Sequence, residues 1–73
     1  MTLLREIAGH KIRATRQRQG IKQGDLADLL GIHWTNLSRI ENGHSSIGLD
    51  RLEQIAAILG TSGHHLLCPE QQA

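Results

Sequence analysis

Five glycines, Gly20, Gly31, Gly43, Gly48 and Gly60, cut the chain into five segments of short-helix length. Glycine weakens helix and strand interiors but closes helices well, so regular structure is confined to the intervals between them. The apolar residues inside those intervals repeat at helical spacing. The first interval, about Leu3 to Gln19, sets Leu4, Ala8, Ile12 and Thr15 on one stripe. The second, about Gln23 to Leu30, turns Leu26, Ala27 and Leu30 inward. The third, about Trp34 to Asn42, does the same with Leu37, Ile40 and Glu41. The fourth, about Leu49 to Leu59, has the clearest period, with Leu49, Leu52, Ile55, Ala56 and Leu59. The fifth is a short turn over about Gly63 to Leu67, with Ser62 placed to cap it and Pro69 to end it. No alternating strand pattern occurs, and the predicted fold is all-α, a compact five-helix unit.

Composition points the same way. There is no Phe and no Tyr, and Trp34 is the only aromatic residue, so the core is built from Leu, Ile and Ala. Such a core favours packed helices over a sandwich or barrel. Residues 1–73 make one small domain. The single cysteine, Cys68, rules out an internal disulfide and suits a reducing cytoplasm. The longest apolar run, Ile55 to Leu59, is too short for a membrane span or a signal peptide. A large substrate pocket does not fit this length, and no Ser, Cys, His or carboxylate set is spaced for catalysis. The expectation is therefore a protein that is not an enzyme and needs no cofactor. His64 and Cys68 stand one helical turn apart, but zinc takes a set of three or four ligands and the adjacent His65 points elsewhere. No metal site is expected.

Charge is unevenly spread. Residues 1–40 carry seven cations against three carboxylates, a net +4, and residues 41–73 carry a net −3. That split implies a basic face for an acidic partner.

Only Gly31, Ile32 and His33 separate the second and third segments, the connection of a helix-turn-helix over about residues 23–42. Gln23-Gly24-Asp25-Leu26-Ala27, then Gly31-Ile32, then Leu37-Ser38-Arg39-Ile40-Glu41-Asn42-Gly43, resembles that element in the phage repressor/Cro-type (XRE-like) DNA-binding domains. The resemblance runs upstream through Lys11-Ile12-Arg13 and Arg16, and downstream through Leu52-Glu53-Gln54-Ile55-Ala56 and Leu59-Gly60. It implies a lambda-repressor-like domain whose partner is double-stranded DNA. Small size and Ser46-Ile47-Gly48-Leu49 ahead of Leu52-Glu53 are similar to the controller proteins of restriction–modification systems. Phage Cro-like repressors and compact antitoxins are similar too.

In such domains the second motif helix, here about 34–42, enters the major groove and its N-terminal residues meet base edges. With Leu37, Ile40 and Glu41 facing inward, the outward set is Trp34, Thr35, Ser38 and Arg39, preceded by His33. Arg39 matches guanine O6 and N7 bidentately, and the hydroxyls of Thr35 and Ser38 can donate or accept. Trp34 either packs on a thymine methyl or sugar edge, or folds back against the second helix. The resemblance places Gln23 on the DNA backbone, where the helix N-terminus favours phosphate. Asn36, Asn42, Lys22, Arg13, Ser45 and Ser46 are further backbone contacts, with capping and solvation as their alternative role. Lys22 and His33 stand where a Ser or Thr N-cap is usual. Arg16 and Glu41 both fall on inward faces, where a charge needs a partner, and the resemblance pairs them with each other.

One such helix reads few base pairs, so a homodimer on a twofold operator is expected, with Leu59, Leu66 and Leu67 as its interface. For Leu59 closure of the monomer core is the stronger role. The alternative function is an antitoxin-type interaction module that binds a toxin protein as well as DNA.

Overall fold

A computed structural model describes residues 3–67. Cys68 and Pro69 lie outside the described residues, and with them the expected end of the fifth helix. Five helices follow in order: α1 (Leu4–Arg18), α2 (Gln23–Leu30), α3 (Trp34–Glu41), α4 (Leu49–Leu59) and α5 (Gly63–Leu67). No strand occurs among the described residues.

The glycine frame acts through the helix ends. Gly20, Gly31, Gly43 and Gly60 each stand just beyond a helix at positive φ. At Gly31 the following residue, Ile32, donates its N–H to the Ala27 carbonyl, and Gly31 donates to Asp28. This paired closure satisfies carbonyls that the helix leaves open, and a left-handed residue is what allows it. Gly48 behaves differently: it caps the start of α4 in an extended conformation. At the other ends, Glu6 reaches back 3.0 Å to the Leu3 N–H, and Ser62 Oγ accepts the His65 N–H at 3.1 Å.

Ala8, Ile12, Leu26, Ala27, Leu30, Leu37, Ile40, Leu52, Ile55, Ala56, Leu59 and Leu66 form the core. α1 is its axis and packs on both α3 and α5, with α2 against α3 and α4 against α5. Gly9 sets the α1–α3 distance, because a Cβ there would stand 2.1 Å from the Ile40 carbonyl oxygen. Two side chains tie helices through backbone oxygens: Gln19 Nε2 to Leu59 at 2.6 Å and Arg51 Nη1 to Leu30 at 2.9 Å.

Two expected core positions are on the surface. Leu4 is 64% exposed and Leu49 is 71% exposed, although each is in phase with its stripe. Both lie in the first turn of their helix, at the rim of the core. Conversely, Leu59 and Leu66 are only 3% and 0% exposed. They close the interior of the single chain, the stronger role expected for Leu59, whereas Leu67 of that set is half-buried.

Candidate nucleic-acid interface

The site is built outward from a buried ion pair. Arg16, on α1, donates through Nε to Glu41 Oε2 at 2.7 Å and through Nη2 to Oε1 at 3.0 Å. Its Nη1 donates to the Ile21 carbonyl at 2.8 Å, so the guanidinium also holds the α1–α2 turn. Both partners are buried, and the planar fork matches the carboxylate at two points. Glu41 is the last residue of α3, so this clamp fixes the rotation of α3 on α1.

Gln23 joins the clamp by donating through Nε2 to Glu41 Oε1 at 3.1 Å. That bond ties the first residue of α2 to the last of α3. A side-chain amide nitrogen carries two hydrogens, so one remains for an outside acceptor. Arg13, Gln23, Ser38 and Asn42 surround a polar cleft over the Arg16–Glu41 pair. Four of the residues expected at DNA are thus gathered in one place by α1, α2 and α3.

The outward side of α3 carries the rest. Thr35, Asn36 and Arg39 are exposed, and Ser38 is partly exposed beside Asn42. Trp34 is 54% exposed and stands outside the core, its ring tilted against His33 at 5.7 Å. His33, standing where Ser or Thr is usual, caps the helix: its Nδ1 accepts the Thr35 N–H at 3.2 Å and lies 2.7 Å from Thr35 Oγ1. With Nδ1 accepting, Nε2 is the ring nitrogen that can donate. Lys22, at the start of α2, caps nothing with its side chain. Ser45 is partly buried, and Ser46 is set apart from the polar cleft, in a groove with Leu3, Leu4 and Leu49. The connection holding these serines is anchored by Arg5, whose Nε donates to the Gly43 carbonyl at 3.1 Å.

Arg5, Gly9, Gln19 and Arg51 were not legible as ties between distant parts of the chain. Each acts on backbone atoms far along the chain, and such targets leave no periodic trace. Among the described residues, no group of three or more His, Cys, Asp or Glu could hold a metal ion.

A helix-turn-helix family model matches residues 12–66. The chain therefore belongs to the helix-turn-helix family, in its repressor/Cro-type (XRE-like) branch, a class of DNA-binding transcription regulators. A hypothetical transcription factor from Neisseria meningitidis serogroup B is 33% identical over 69 residues, covering 94% of this chain and 65% of that protein. The chain thus spans about two-thirds of the length of that curated relative. The crystal structure of the Neisseria factor superposes with a TM-score of 0.86 over 94% of this chain and 79% of that one. The clp gene regulator ClgR from Corynebacterium glutamicum gives 0.86 at 29% identity, over 90% of this chain and 70% of that one. The fold also matches part of hydroxypropylphosphonic acid epoxidase from S. wedmorenis, with a TM-score of 0.81 at 28% identity, over 90% of this chain and 35% of the enzyme.

Proposed function

We propose that this chain is a sequence-specific transcription regulator that binds a twofold operator as a homodimer, with α3 in the major groove, and that it performs no catalysis. The observation that carries the reading is the two-sidedness of α3. Its inner face, Leu37, Ile40 and Glu41, is buried and clamped, while Trp34, Thr35 and Arg39 are exposed on a rigid support. The helical architecture also occurs within an enzyme, so the reading rests on these residues rather than on the fold.

Arg39 reads a guanine, with Thr35, Ser38, His33 and Trp34 along adjoining base edges. Arg13, Gln23, Asn42, Lys22 and Asn36 hold phosphates and fix the register of α3. Ser46-Ile47-Gly48-Leu49 ahead of Leu52-Glu53 supports a controller- or repressor-type regulator, and the single cysteine, Cys68, supports a cytoplasmic one. Arg39→Ala tests the assignment. It is expected to lose about 1–3 kcal/mol of binding and to relax preference at one base position. An equal loss on every sequence would make Arg39 a phosphate contact instead.

A further inference from the structure

We propose that His33 is a positioning residue for base readout. It takes the hydroxyl proton of Thr35, so that Thr35 meets DNA only as an acceptor and selects an amino-bearing base, adenine or cytosine, on the strand it faces. This role rests on the regulator reading, which sets the start of α3 against base edges. His33 and Thr35 are both exposed there, outside the buried face of Leu37, Ile40 and Glu41. A threonine hydroxyl is ordinarily ambiguous, because it has one proton to give, two lone pairs, and a proton that rotates to suit its neighbour. A base edge of either kind would satisfy it.

His33 removes the ambiguity. The Thr35 backbone N–H is aimed at His33 Nδ1 at 3.2 Å, so that nitrogen carries no proton, because two N–H groups do not point at each other. The same Nδ1 stands 2.7 Å from Thr35 Oγ1, and a ring nitrogen without a proton can only accept there. The hydroxyl therefore donates to the ring, and its lone pairs are what remain for DNA. The Trp34 ring flanks the imidazole at 5.7 Å. In the major groove the donors are the N4 amino group of cytosine and the N6 amino group of adenine, whereas guanine O6 and N7 and thymine O4 accept. Lone pairs set against lone pairs, with water displaced, leave both groups unsatisfied, which is the costly outcome.

Selection of bound duplexes from random DNA by wild type, Thr35→Val, His33→Ala and His33→Asn tests this. Thr35→Val keeps the shape and loses the hydroxyl, so the base position where its preference changes is the one beneath Thr35. Wild type is expected to prefer adenine or cytosine there over guanine and thymine by about fivefold or more. His33→Ala frees the hydroxyl to turn and donate, so the four bases are expected to approach equality at that position, with preferences elsewhere unchanged. A residue that only capped α3 would weaken binding on all sequences alike. Asn carries Oδ1 at the same reach from Cβ as Nδ1, and that oxygen accepts two bonds, so His33→Asn is expected to keep the wild-type preference. Three results would each overturn the proposal while leaving the regulator reading intact: guanine or thymine favoured beneath Thr35, no position responding to Thr35→Val, or an unchanged preference in His33→Ala. Enrichment of no sequence by wild type would remove both. Imidazole nitrogen chemical shifts of the free protein, at mildly alkaline pH, give a readout without DNA. A proton on His33 Nε2 is expected, and a proton on Nδ1 would overturn the proposal by itself.

Discussion

Glu41 is a buried carboxylate whose oxygens are taken by Arg16 and Gln23, and this small network sets where α3 stands. Removing Arg16 would leave that charge without its cation, the expensive way to break a buried pair. Arg16→Ala is expected to lose about 3–5 kcal/mol in urea denaturation, and an unchanged unfolding midpoint would contradict the clamp. Gly9 acts by having no side chain. Gly9→Ala would push a methyl into the Ile40 carbonyl, and a loss of at least about 1–3 kcal/mol is expected in the same assay. The two positions differ in how far the sequence exposed them. Arg16 and Glu41 stood out as charges on apolar stripes, a conflict that has few solutions. Gly9 did not, because its constraint is the approach of a backbone some thirty residues away along the chain. Leu4 and Leu49 show the converse: periodicity gives the phase of a helix but not where its neighbours stop covering it.

The helices were legible almost residue by residue, because their ends are written in glycine. α3 stops one residue short of the expected interval, at Glu41, and Asn42 takes the cap. The caps at the starts were less legible. His33 is not a customary capping residue, yet a neutral imidazole nitrogen accepts an N–H as a hydroxyl would. His33→Ala is expected to lose about 1 kcal/mol of stability, read by thermal melting. α2 offers the opposite change. Lys22 is extended at its N-cap and makes no side-chain cap, so Lys22→Ser is expected to gain about 1 kcal/mol. The same substitution is expected to weaken DNA binding on all sequences and to lower the salt slope by about one, the mark of a lost phosphate contact. Stability rising while affinity falls would separate the two roles of the α2 terminus.

At the scale of the molecule, the sequence's charge split acquires a layout. The basic half supplies α1, α2 and most of α3, with Arg13 and Arg39 toward the reading side. The acidic half supplies α4 and α5. Leu59 and Leu66 were open to two roles because a leucine in a helix of a small unit serves core and interface equally well by pattern. Only packing distinguishes them, and it buries both. Trp34 runs the other way: a lone aromatic by composition belongs inside, and the structure sets it beside His33 at the outer start of α3. The central claim is that this outer face reads a defined DNA sequence as one half of a symmetric pair. The most direct test is selection of bound duplexes from random DNA by the purified chain at a fixed salt concentration. The expected result is one enriched twofold-symmetric site, its half-sites about one helical turn, ~34 Å, apart. Enrichment of no sequence, with binding governed by salt alone, would contradict it.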